Sequence, residues 1–137
     1  MLSFHLDPRL EAETLPVGPL GLCMLRLMND RRWPWLALVP QRAQITEFHD
    51  LTPLDQTMLT FEAALVGRVL KRETKAETIN TAMITNVIPM FHLQMVARTA
   101  GDPLWPEPVF GRGGSLPYEE GEGERFAETL RQALLAS

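Results

Sequence analysis

One cysteine, one tyrosine and three histidines are all that this 137-residue sequence holds of those residue types. The lone Cys23 has no partner for an intramolecular disulfide, and its place in the apolar run Leu20 to Met28 marks it as a small buried hydrophobe in a reducing compartment. His5, His49 and His92 stand far apart without metal-ligand spacing, so no metal and no cofactor are expected. Gly113-Gly114 lacks the strand, lysine and helix of a phosphate loop, and no serine occupies a nucleophile elbow. Nowhere do about 18 apolar residues follow one another, and Met1 to Arg9 has no basic stretch leading into a long apolar run. Neither membrane spanning nor secretion is expected, and the location this implies is cytoplasmic. Positive charge is scarce too: thirteen Lys and Arg against seventeen Asp and Glu leave a net charge of −4. That balance argues against a partner as highly charged as a nucleic-acid polymer but allows a single bound nucleotide.

What is present is enough for one domain over residues 1–137, since a chain of this length buries roughly two-thirds of its unfolded surface. Asp7 followed by Pro8 predicts a short helical turn over 7–12, which Pro16, Gly18 and Pro19 break, leaving packing material. Leu20 to Met28 and Trp33 to Val39, joined by Asn29-Asp30-Arg31-Arg32, predict an antiparallel hairpin of central strands. Thr52-Pro53-Leu54-Asp55 is a strong helix start. Leu54, Met58, Phe61, Leu65 and Val69 then form one apolar stripe, and Lys71 and Arg72 suit the negative end of the helix dipole. This main helix is expected to lay that stripe on one face of the sheet. Thr78 to Thr85 reads as a third strand and Met90 to Arg98 as a fourth. Prolines 103, 106 and 108 around Trp105 and Phe110 make 102–111 an ordered loop pinned by aromatics. Residues 111–123 read as a flexible link, and Phe126, Leu130 and Leu134 as the stripe of a terminal helix.

The fourth strand organises the rest. At a period of two, Met90, His92, Gln94 and Val96 share one face and Phe91, Leu93, Met95 and Ala97 the other. An imidazole and an amide thus stand about 7 Å apart along the strand, close enough to touch one small charged group.

Met90-Phe91-His92-Leu93-Gln94-Met95-Val96 resembles the signature of the histidine triad (HIT) nucleotide hydrolases and transferases, His-φ-His-φ-His-φ-φ with φ apolar. The middle histidine and every apolar position are kept; Met90 and Gln94 replace the outer histidines. The stretch from Ala97 through Trp105 to Gly111 resembles the continuation in a bacterial HIT subgroup, as do Leu27-Met28-Asn29-Asp30 and Leu38-Val39-Pro40-Gln41-Arg42. The resemblance spans about residues 15–111, with a linker and helix over about 112–137.

The resemblance implies an α+β fold, a HIT-like antiparallel sheet with one long helix packed on one face and a nucleotide cleft on the other. It implies a nucleotide hydrolase or nucleotidyltransferase in which His92 attacks the α-phosphorus and forms a nucleotidyl-histidine intermediate. Gln94 falls where the third histidine contacts the phosphates, and its amide donates hydrogen bonds but cannot pass a proton to a leaving group. The pattern with glutamine in third place resembles the branch related to galactose-1-phosphate uridylyltransferase. Asn86 and Asn80 lie near positions that supply polar contacts to the phosphates. Asn29 resembles a nucleoside-side residue and is equally suited to its turn, and Arg98 is equally a solvated strand end or a ligand contact. Met90 reads as a packing residue. The substrate implied is a purine mononucleotide or dinucleotide, of the dinucleoside polyphosphate or phosphoramidate class. A homodimer is expected as well, because the resemblance implies a domain that commonly pairs and because Trp33, Trp35 and Trp105 lie in or beside segments too short to bury them all. The alternative reading is a non-catalytic nucleotide-binding or regulatory protein with a degenerate triad.

Overall fold

Asp7 caps the first helix, its carboxylate accepting from the Arg9 N–H at 2.8 Å with Pro8 at the first helical position. The computed structural model describes residues 2–137. Helix α1 (Pro8–Glu13) runs directly into strand β1 (Thr14–Pro19), followed by β2 (Cys23–Met28) and β3 (Trp35–Pro40), the long helix α2 (Pro53–Thr74), β4 (Thr78–Met83), β5 (Leu93–Arg98) and α3 (Glu122–Leu135). The five strands form one antiparallel sheet in the order β1-β2-β3-β5-β4.

The expected hairpin is β2–β3, and it is central: every residue of β3 and β5 is buried. The segment read as packing material is instead edge strand β1. It tolerates Pro16 and Pro19 because an edge strand has one unpaired side, and the register slips between Pro16 and Gly18 as a bulge would. The third strand ends at Met83 and the fourth begins at Leu93, later than expected. Residues 90–92 bond elsewhere: the Phe91 N–H donates to the Ile45 carbonyl at 2.9 Å, which holds the chain off the ladder.

Thr52 caps α2 by accepting from the Asp55 N–H at 3.1 Å, as expected, but the helix is rotated from the predicted stripe. Leu54 and Phe61 are each 71% exposed, while Asp55, Leu59, Glu62, Val66, Val69 and Leu70 are buried. Two buried carboxylates hid this face from a hydrophobic pattern. Asp55 is paired with Arg42, whose Nε lies 2.9 Å away, and Glu62 accepts from the Leu22 and Cys23 N–H groups at 2.6 and 2.9 Å. Each carboxylate is thereby satisfied, the condition for burying it. Burial and the nearby Glu62 charge push the Cys23 thiol far up, so it stays protonated and inert.

Leu59, Val66 and Leu70 of α2 and Ala127 and Leu130 of α3 pack with Cys23, Leu25, Leu36, Leu38, Leu93 and Met95 in the main core. Gly67 lets α2 lie close to β5, since a Cβ there would meet the Met95 methyl at 2.9 Å. The opposite sheet face carries two smaller clusters, one of Trp33, Trp35, Val96 and Val109 with Phe110, the other of Leu10, Val39 and Ile88 with Phe4 and Met90. Trp33 and Trp35 are thus buried within the chain, which removes them as a reason to expect a dimer. Residues 111–123 are no free link either: Arg31 N donates to Leu116 O, Leu116 N to Asp30, and Tyr118 N to the Asn29 side chain at 3.0 Å. Among the described residues no helix is long and apolar enough to cross a membrane.

Candidate functional site

Between the two smaller clusters the sheet face stays open as a two-lobed groove. One lobe, about 280 Å³, is lined by His92, Gln94 and Asn86 with Leu10, Trp35, Ile88 and Phe110. The other, about 490 Å³, is lined by Asn29, Asp30, Arg32, Arg112 and Ser115 among others. Glu13, Met28, Trp35 and Gly111 line both, so the lobes adjoin.

His92 sits on the last residue before β5, held by its flanking loop. Thr46 donates to the Pro89 carbonyl, Arg9 to the Val87 carbonyl, and the Asp7 N–H to the Met90 sulfur at 3.4 Å. Met90 therefore packs on the N-terminal segment, as its apolar character suggested, and offers His92 no second imidazole.

The hydrogen bonds around His92 fix one arrangement. Trp35 Nε1 is donor-only and lies 2.9 Å from Gln94 Oε1, so the Gln94 carbonyl must face the indole and its NH2 must face away. That NH2 lies 3.4 Å from His92 Nε2. Nε2 must then be the acceptor and Nδ1 the protonated nitrogen. Nδ1 is 2.8 Å from the Met90 carbonyl, which accepts that proton. The chain Trp35 to Gln94 to His92 to Met90 thus selects the tautomer with its lone pair on Nε2, the state a nucleophilic imidazole needs. His92 is 5% and Gln94 8% exposed, and among the described residues no buried side-chain polar atom lacks a partner.

Of the five residues expected to form the site, His92, Gln94 and Asn86 share one lobe. Asn86 is exposed, with no side-chain hydrogen bond among the described residues. Asn29 lines the neighbouring lobe, its side-chain oxygen accepting from Tyr118 N. Asn80 does not join them. Its oxygen accepts from Arg98 Nη1 at 3.0 Å, and it lines neither lobe.

Arg98 is neither a solvated strand end nor exposed to a ligand. It is 1% exposed, paired bidentately with Asp102 at 2.8 Å, bonded to the Glu107 carbonyl at 2.7 Å, and within 6.0 Å of the Trp33 and Trp105 rings. The Arg98 guanidinium holds the Asp102 carboxyl below its usual range. At Asp30 burial pushes the pKa up, but the bonds from Arg32 and from backbone N–H groups outweigh it and the net shift is down. Burial pushes the Tyr118 phenol, packed beside Phe126 at the edge of the main core, up to about 12.

Trp35 and Arg112 were not foreseen here. Trp35 could have been suspected from register, because an indole N–H buried on the face of Gln94 needs an acceptor. Arg112 gave no signal inside a glycine-rich stretch.

The HIT domain family model matches residues 9–100. Among solved structures, a histidine triad protein from Sinorhizobium meliloti is 53% identical with a TM-score of 0.92, covering 95% of this chain and 96% of that one. A histidine triad protein from Marinobacter aquaeolei is 36% identical, TM-score 0.92, over 98% and 97% of the two chains. One from Bradyrhizobium japonicum is 34% identical, TM-score 0.93, over 97% and 99%. No curated protein matches the chain.

Proposed function

The chain belongs to the histidine triad family, and from that premise we propose that it is a nucleotide hydrolase or nucleotidyltransferase working through a nucleotidyl-histidine on His92. The observation that carries this is the tautomer set by Trp35, Gln94 and Met90, which leaves Nε2 as the unprotonated ring nitrogen of His92, in the lobe. Nε2 attacks the α-phosphorus; the new N–P bond forms as the bond to the leaving group breaks, and that group departs with the electron pair. Water or a second acceptor then attacks phosphorus, breaking the N–P bond and returning its electron pair to Nε2. Gln94 and Asn86 donate hydrogen bonds to the phosphate oxygens, a stabilisation that grows as charge develops. Neither passes a proton, so good leaving groups react best. The substrate is a purine mononucleotide derivative or a dinucleotide, bound without metal or cofactor in the cytoplasm.

Met90 favours a competing reading, nucleotide binding without turnover, because its side chain serves packing. Intact-mass spectrometry after quenching with a nucleoside phosphoramidate or a dinucleoside polyphosphate decides. A nucleoside-monophosphate adduct on wild type that is lost in His92→Ala supports the enzyme. Binding with neither adduct nor turnover establishes the competing reading.

We also propose a homodimer, through α2 and β4. Leu54, Met58 and Phe61 form an exposed apolar face on α2. Edge strand β4 lacks proline and charge, whereas the other edge, β1, is blunted by two prolines and a register shift. In a two-fold dimer this helix face and this edge strand would each meet the same element of a second copy, the occupant proposed here.

A further inference from the structure

Among the described residues, the lining of the His92 lobe has no cation to meet the phosphate it is read to hold. Its lining carries one charged side chain, Glu13, which is negative. A phosphate entering there meets one imidazole and two amides, and taking an anion out of water without a counter-charge is unfavourable. Among the described residues, the arginines on the groove are Arg32 and Arg112, both on the neighbouring lobe.

The two differ in freedom. Arg32 grips Asp30 bidentately at 2.9 and 2.7 Å and stacks 4.5 Å over the Trp33 ring; withdrawing it would strand the buried Asp30 carboxylate. Arg112 makes one ion pair, with Glu107 at 3.1 Å, and both side chains are at least half exposed. Such pairs are weakly held and easily exchanged for a better anion. Arg112 also follows directly on Gly111, which lines both lobes, and is followed by Gly113 and Gly114. Gly111 and Gly113 have φ of +74° and +73°, and a Cβ at Gly111 or Gly114 would meet nothing within 4 Å. The arginine thus lines the neighbouring lobe directly after Gly111, where the two lobes adjoin.

We infer that Arg112 leaves Glu107 and pairs with the phosphate of the bound nucleotide, supplying the positive charge that the His92 lobe lacks. This rests on the nucleotide reading of that lobe. An arginine matches two phosphate oxygens through parallel N–H donors, which lysine cannot do.

Calorimetric titration with adenosine and with adenosine monophosphate tests it on wild type, Arg112→Gln, Arg112→Lys and Glu107→Gln. The expected result is that wild type prefers the monophosphate over the nucleoside by about 10-fold or more, that Arg112→Gln loses this preference while binding adenosine as before, and that Arg112→Lys restores part of it. Glu107→Gln, which releases Arg112, should keep or increase it. Unchanged preference in Arg112→Gln overturns the inference and leaves the nucleotide reading intact. An equal loss of adenosine affinity overturns it too, by assigning Arg112 a structural role. Wild type that binds both ligands without preference overturns it, and wild type that binds neither overturns the nucleotide reading as well.

Discussion

Trp35 and Gln94 lie on adjacent strands, β3 and β5, and the indole N–H reaches the glutamine oxygen at 2.9 Å. That bond decides which end of the amide faces His92. Trp35→Phe keeps an aromatic ring against Phe110 but leaves the Gln94 oxygen buried without a donor, at a cost of about 1–3 kcal/mol. The amide is then free to turn its oxygen toward His92. Denaturant unfolding should show that loss, and adduct formation on His92 should slow by up to about 10²-fold. Wild-type adduct kinetics in Trp35→Phe would remove the indole from the positioning chain.

Gln94→His tests the missing proton donor. A positioned acid is worth about 10²-fold to 10⁴-fold, so turnover of an adenosine phosphoramidate should rise by up to that range, while a dinucleoside polyphosphate gains less. His92→Ala should abolish both. Met90 limits the gain, since its side chain packs on the N-terminal segment and cannot orient the new imidazole. Equal wild-type rates on the two substrates would reject the role given to Gln94.

Asp102→Ala removes the carboxylate that neutralises the buried Arg98, which should cost about 3 kcal/mol at pH 7. The folded Asp102 carboxyl titrates below its ordinary value because of the Arg98 bonds. Its contribution is therefore fully present above about pH 4, the unfolded value, and is lost as pH falls through the folded one. Melting temperatures of wild type and variant should differ most near neutrality and converge in acid. A gap independent of pH would show that the pair contributes through packing alone.

Phe61→Glu puts a charge in the exposed face of α2 and should yield a single-chain mass by light scattering where wild type gives twice that mass. The substitution meets solvent in the lone chain, so its melting temperature at low concentration should be unchanged. A wild-type mass of 15.5 kDa across a wide concentration range would sink the dimer.

The fold was legible wherever a local rule governs. Asp7 and Thr52 announced their helices by capping chemistry, and the β2–β3 hairpin by its turn. Reading failed where a polar group is buried with a partner distant in sequence. Asp55 and Glu62 face the core because Arg42 and two backbone N–H groups meet them, and no periodicity contains that information. Arg98 was ambiguous for the same reason. For the candidate site, alternation along one strand placed His92 beside Gln94, and the structure has them in one lobe, but the Trp35 that bonds Gln94 arrives from β3. Asn80 lies on the same sheet face and was drawn away by Arg98.

The pairing of β3 with β5 carries a kinetic consequence. Leu38 and Leu93 face each other across the centre of the sheet, yet the whole of α2 and β4 lies between them in the chain. The β2–β3 and β4–β5 pairings are nearer in sequence and can form early, whereas their union must close a long loop and comes late. Trp35 rides on one half and Gln94 on the other. A partly folded chain with both halves formed has no indole to orient Gln94, so the hydrogen-bonded arrangement around His92 is completed in the same step that completes the sheet.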